Sequence, residues 1–296
     1  DINKTKGYVG SNVLFIYSNL TIIPSWMENY YSEHKPQYIL WWIKINGISA
    51  KSNLTIYMCI GKLNINYYNI YNGTVGEAPE LSPMYGEYDS GYNVFNFYDN
   101  FVGTDYNSQR WTATIPNSST IIVNNGITIH DYSSTTSFLT TESFSGNFVV
   151  DFYGEYNTGT SSRTYAKYTG TGTPWGGLDL GFQLSGNSAF GFNWYNGSTD
   201  PHLVYFGAND YIGSSSQFLT NTMQLYSIAI IGGQNTTMKA YLNYVIQQVQ
   251  WNGSEESSGS IGFFTQQGPT TAYEYWQWID VRAYPPNGVM PSVSFE

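Results

Sequence analysis

The strongest constraint on this chain is a run of short, strand-like segments that continues almost to its end. Thr120–Val123 and Gly126–His130 flank Asn124-Asn125-Gly126, a tight-turn signal. Phe148–Tyr153, Leu178–Leu184, Ala189–Trp194, Leu203–Phe206, Leu225–Ile231, Met238–Val245, Ile261–Phe264 and Tyr273–Tyr284 follow. Gly-rich turns such as Gly176-Gly177 and Gly232-Gly233 separate most of them. Regular short strands with turns between them specify a sandwich or a barrel. Helical periodicity is confined to a single turn near Trp26–Tyr31, and no internal repeat is present. The expected fold class is all-β.

The chain is organised around Phe95-Asn-Phe-Tyr-Asp-Asn-Phe-Val-Gly-Thr-Asp-Tyr-Asn-Ser-Gln-Arg-Trp111. This stretch begins as an aromatic strand and breaks into a polar turn holding Asp99, Asn100, Gly103 and Asp105. With 296 residues, two domains are expected: a small β-sandwich over residues 1–94 and a larger one over 95–296. One large sandwich is the alternative. In the first part, residues 12–23 read as a hairpin turning at Ser18-Asn19 and closed by Pro24. Residues 38–46 and 53–60 read as a second strand pair. Residues 72–93, rich in Gly and Pro, read as a linker-like loop leading towards the second domain. Cys59 alternates with Ile56, Met58 and Ile60 as a strand residue, with no neighbouring base to activate it.

Charged residues make up only 11% of the chain, against roughly 25% in an average soluble protein. Aromatics reach 18%, so a packed core is expected and a disordered chain is excluded. The net charge of -10, without a Lys/Arg run, argues against nucleic acid. Few titratable groups also mean few carboxylates whose protonation would unfold the chain in acid. The single cysteine excludes an intrachain disulfide framework. No apolar run approaches the roughly 18 residues of a membrane span. No leader is legible at Asp1, and any targeting segment is expected either to have been removed or to lie outside this sequence. Asn-x-Ser/Thr sequons stand at Asn3, Asn19, Asn53, Asn72, Asn117, Asn196, Asn235 and Asn252, and glycosylation is expected at some of them.

Asn12-Val-Leu-Phe-Ile, Thr21-Ile-Ile-Pro-Ser-Trp26-Met-Glu28, Trp42-Ile-Lys-Ile-Asn-Gly47 and Ser52-Asn-Leu-Thr-Ile-Tyr-Met58 resemble domain of unknown function 2341, found in archaeal and other microbial surface proteins. The pattern continues through Val75-Gly-Glu-Ala-Pro-Glu-Leu-Ser-Pro83 and closes near Phe95. The family's usual aromatic-rich first strand is not recognisable, which implies either a fragment cut from a longer protein or an open sheet edge that another subunit completes. Phe97-Tyr-Asp99-Asn-Phe101-x-Gly103 and Tyr275-Trp-Gln-Trp-Ile-Asp280-Val-Arg282 resemble the two ends of a concanavalin A-like, laminin-G-like domain. The resemblance implies an extracellular protein on a cell or virion surface. By the same resemblance, Asp280 with the Asp99–Gly103 turn would hold a structural calcium. A charge pair between Asp280 and Arg282 is the competing reading.

Catalytic signatures are absent from the sequence. Sandwich glycosidases carry Glu-x-Asp-x-Glu on one strand. Glu87-Tyr-Asp89 lacks a third acid, and Asp151 and Glu155 are separated by a Gly154 expected to end the strand. His34, His130 and His202 are isolated in sequence, and no Gly-x-Ser-x-Gly elbow occurs. A non-enzymatic role is therefore expected, as a filament, coat or appendage subunit that self-assembles or joins other surface proteins. A lectin-like adhesin and a glycoside hydrolase are the alternatives. For sugar binding the candidates are Trp276, Trp278 and Arg282, taken to share an outward face opposite Ile279, Val281 and Ala283, with Trp175, Trp194 and Tyr195.

Overall fold

The computed structural model describes residues 2, 9–28, 39–49, 51–115, 119–130, 136–157, 177–184, 189–194, 202–206, 210–214, 219, 221–231, 236–253, 258–266 and 273–285, some of them by backbone alone. The chain divides into two units. The first is Asp1–Val102 with Gln277–Asp280, and the second is Gly103–Trp276 with Val281–Glu296.

In the first unit, β1 (Val13–Tyr17) and β2 (Ile22–Ile23) form the expected hairpin. Its turn is set by Asn19 Oδ1, which accepts the Thr21 N–H at 3.0 Å, and by Leu20 at φ 67°. The other side of β1 pairs antiparallel with β5 (Ile56–Ile60). A second small sheet has β3 (Ser25–Glu28) at its centre, antiparallel to β4 (Leu40–Ile43) and parallel to β6 (Val75–Glu77). The pairing expected between residues 38–46 and 53–60 is thus corrected, since β4 lies on β3 and β5 on β1. Local pattern marks strands, but partners are chosen by which apolar faces close over one core.

Residues 72–93 are not a linker but core. They hold β6, a single 3-10 turn at Pro79–Leu81 and most of α2 (Gly91–Val94), the short helix following α1 (Tyr67–Ile70). Val75, Glu77 and Ala78 are fully buried. The glycines that suggested flexibility permit close approach instead: a Cβ on Gly76 would lie 2.1 Å from Tyr88 O. The helical turn expected near Trp26–Tyr31 is also corrected, because Trp26–Glu28 lie in β3 and the remainder falls outside the described residues.

Trp26 is the hub of this unit. Its ring meets Phe95, Tyr98 and Trp278 edge-on at centroid distances of 5.3, 5.8 and 5.1 Å. Its Nε1 donates to Asp89 Oδ1 at 2.9 Å. Asp89 also accepts from Gly91 N, Tyr98 Oη and Asn100 Nδ2 at 2.9, 2.7 and 2.7 Å. Four donors satisfy a buried carboxylate and tie α2 and β7 (Phe97–Asp99) to β3. Glu77 is the contrasting case, fully buried beside the Ser82 hydroxyl and raised to about 8, chiefly by burial and further by Asp89 and Glu87.

The second unit is a two-sheet sandwich. One sheet runs β20 (Val245–Gly253), β19 (Thr236–Leu242), β18 (Gln224–Ile231), β13 (Phe148–Asn157), β22 (Tyr273–Ala283), β10 (Ile127–His130), β9 (Thr120–Val123). The other runs β17 (Asp210–Ser214), β16 (His202–Phe206), β15 (Ala189–Trp194), β14 (Gly177–Leu184), β21 (Ser258–Gln266), β11 (Thr136–Thr140), β8 (Trp111–Thr114), with β12 (Phe144–Ser145) also on β21. Aromatic rings from both sheets fill the core. Phe263 of β21 packs on Phe152 of β13 at 5.6 Å and on Trp276 of β22 at 5.3 Å, while Trp111 stacks on Phe138 at 4.5 Å. The fold is all-β, as the spacing of strands and turns requires.

Gly154 does not end its strand, another correction, since β13 continues to Asn157. A Cβ at Gly154 would sit 2.2 Å from Tyr275 O, so glycine lets β13 lie close against β22.

Candidate functional site

Alternation along β10 and β22 decides which residues of the second unit reach solvent. Ile127 and Ile129 are buried at 0% and 1%, and Trp276, in register with Ile127, is buried at 0%. Thr128 and His130 therefore face outward, opposite Tyr275 and Tyr273 respectively. Glu155 of β13 joins them. Thr128, His130, Glu155, Tyr273 and Tyr275 line one open recess of about 320 Å³.

The recess has an aromatic floor with polar groups beside it. The His130 and Tyr273 rings lie 5.3 Å apart, tilted at 43°. Tyr275 Oη donates to Asn125 O at 3.0 Å, anchoring the ring over the β9–β10 turn. In that turn Asn125 has φ 52° and Gly126 φ 118°, and a Cβ on Gly126 would come within 2.6 Å of the Tyr275 ring. Any side chain at Gly126 would displace that tyrosine. Glu155 is only partly buried, and burial raises its carboxyl above the ordinary range.

The sequence-derived candidates fall elsewhere. Trp276 and Trp278 are both fully buried, so neither offers a face to a ligand. Trp276 packs against Phe152, Tyr156, Tyr226 and Phe263 of the second unit, and Trp278 against Trp26 of the first. Ile279 and Val281 are buried too, so this part of β22 is covered on both faces and the expected split into an inner and an outer face is corrected. The face that reaches solvent carries Tyr273, Tyr275 and Gln277. Arg282 Nε donates to Asp151 Oδ2 at 2.7 Å, a nearly buried ion pair that holds two strands rather than a ligand. Trp175 and Tyr195 lie outside the described residues, and Trp194 is described only as the end of β15, in register with Leu178.

Asp280 is 1% exposed. Asp99 Oδ1 accepts the Phe101 N–H at 2.9 Å, closing its own turn. Among the described residues, no group of three or more His, Cys, Asp or Glu side chains is placed to hold a metal ion. The calcium reading thus depends on carbonyl and water ligands around one or two carboxylates and remains a proposal. If it is right, chelation lowers the melting temperature and Asp280→Ala erases that sensitivity; an unchanged melting curve in chelator removes the ion. Of the sequon asparagines, Asn19, Asn53 and Asn72 are exposed, and Asn252 lies near the end of β20. Asn3, Asn117, Asn196 and Asn235 lie outside the described residues. Also among the described residues, no helix is long and apolar enough to cross a membrane.

No family model matches the chain, so the likeness of its first 95 residues to domain of unknown function 2341 is without that support. The chain is 29% identical, over a 308-residue alignment, to a protein of Sulfolobus islandicus rod-shaped virus 1 named "Uncharacterized protein 562". That alignment takes in 92% of this chain and 50% of the viral protein, so the chain spans about half the length of its curated relative. Among solved structures, similar chains include a glycosyl hydrolase family 16 protein from Mycobacterium smegmatis (10% identity, 63% of this chain and 99% of that one, TM-score 0.45). A β-glucanase from Bacillus licheniformis follows (11%, 63% and 97%, 0.43), as does the carbohydrate binding module CBM66 from Bacillus subtilis (13%, 58% and 96%, 0.40). At these identities the likeness concerns the fold alone. It still corrects one expectation. Glycosidases stand among these structural neighbours, and the reading of the chain as non-enzymatic is withdrawn.

Proposed function

We propose that the second unit binds a saccharide in the recess formed by Thr128, His130, Glu155, Tyr273 and Tyr275, in a protein displayed outside a cell or on a virion. One observation carries this reading: two tyrosines and a histidine from neighbouring strands converge with a carboxyl and a hydroxyl around one open recess of about 320 Å³. Aromatic faces stack on the apolar faces of sugar rings, while flanking oxygen and nitrogen groups hydrogen-bond the ring hydroxyls. The volume suits a small ligand or a short stretch of a chain. The relative encoded by a virus supports the setting.

A glycan array followed by calorimetry tests the proposal. A bound glycan should be found, and Tyr273→Ala should weaken its binding about tenfold or more with little change in melting temperature. Equal binding by Tyr273→Ala, or no glycan bound at all, overturns the assignment. If bound polysaccharide is also cut, and Glu155→Gln stops cleavage without stopping binding, the recess is a hydrolytic site.

A further inference from the structure

One of the two small sheets of the first unit ends in a strand built unlike an ordinary edge. In the order β2-β1-β5, β5 is outermost, and among the described residues no strand pairs with its second edge. All five residues, Ile56-Tyr-Met-Cys-Ile60, are apolar, with Tyr57 49% exposed, Met58 40% and Ile60 49%. Leu54, just before the strand, is 38% exposed. Exposed edges are usually protected by a charge, a proline or a bulge. None occurs here: from Ser52 to Gly61 there is no charged residue and no proline, and the β1–β5 ladder runs in continuous register from Val13↔Ile60 to Tyr17↔Ile56.

We propose that β5 pairs antiparallel with β5 of a second copy of this chain, about a two-fold axis at Met58. A second copy is favoured over an unrelated strand because the segment complements itself. A two-fold at Met58 sets Ile56 opposite Ile60, Tyr57 opposite Cys59 and Met58 opposite Met58, so every residue of the strand meets an apolar partner. Any shifted symmetric register leaves at least one of the five unmatched. Lys62 faces Leu54 in this register, so no two lysines oppose each other. The faces also agree. Cys59 packs towards the cluster of Leu14, Tyr68, Val75 and Tyr88, and a two-fold normal to the sheet keeps that face on the same side in both copies. The two three-stranded sheets become one continuous sheet with a core along one face. This inference is independent of the saccharide recess.

Sedimentation of the full chain tests it, with charges placed on the axis. The wild type should show a concentration-dependent dimer. Met58→Lys and Met58→Glu should each be monomeric, because identical charges would face each other across the two-fold. An equal mixture of the two variants should recover the dimer, which general loss of apolar surface does not allow. Met58 is exposed, so both variants should fold with unchanged circular dichroism. A wild type that stays monomeric at concentrations on the order of 100 µM overturns the proposal. So does a Met58→Lys variant that dimerises like the wild type, or a mixture that remains monomeric.

Discussion

Raising the pH from 4.5 to 8 should loosen the first unit, and Glu77→Gln should abolish most of that response. Glu77 is fully buried on β6, and its carboxyl is raised from 4.5 to about 8, first by burial and then by the nearby Asp89 and Glu87. Asp89 is raised from 3.8 to about 6, burial outweighing the four hydrogen bonds it accepts. Both folded values lie above the unfolded ones, so the folded state keeps protons that the unfolded chain has released. Their stabilising contribution is complete below pH 4 and is lost as pH rises, through about 6 for Asp89 and about 8 for Glu77. For Glu77 the full span is on the order of 5 kcal/mol. Hydrogen exchange of peptides spanning residues 71–89, read at several pH values, measures it locally. Protection should fall steeply with rising pH in the wild type, while Glu77→Gln should keep only the smaller fall that Asp89 causes up to about pH 6, with the variant the more protected at pH 8. Parallel pH profiles for the two proteins would show that Glu77 is not the buried acid responsible. The direction matches what the low charge content implies, a chain that loses little in acid.

Trp276→Ala should cost about 3–5 kcal/mol of stability in the second unit. Its ring is fully buried, 5.2–5.4 Å from Tyr156, Tyr226 and Phe263 and 6.2 Å from Phe152, so truncation opens a cavity where the two sheets meet. Tyr273→Ala, three residues away, removes a ring from the outer face and should leave the melting transition close to that of the wild type. The pair separates core from ligand surface on one strand. A Trp276→Ala protein that melts normally but no longer binds glycan would return Trp276 to the ligand face.

The sequence by itself determined the all-β class, because alternation with period two and Gly/Asn turns are local signals. It also placed the hairpins β1–β2 and β9–β10, whose turn residues and strands lie within a few positions of each other. Which side of β10 faces out follows from the burial of Ile127 and Ile129, which leaves Thr128 and His130 on the outer side. Tertiary structure decided what distant segments do to one another. The parallel match of β3 with β6 turned a Gly/Pro-rich stretch into core, because a close backbone approach needs the same glycines that a loop would. Along β22, Tyr273, Trp276 and Trp278 look alike to any reading of hydrophobicity, and aromatic residues on both faces leave the buried side undetermined. Only the apposition of Phe263 and Phe152 makes Trp276 core and leaves Tyr273 and Tyr275 outside. The recess draws on β10, β13 and β22, which are not consecutive in the chain, so its residues share no motif. They are neighbours because sheet order, set by burial of the opposite face, puts them side by side.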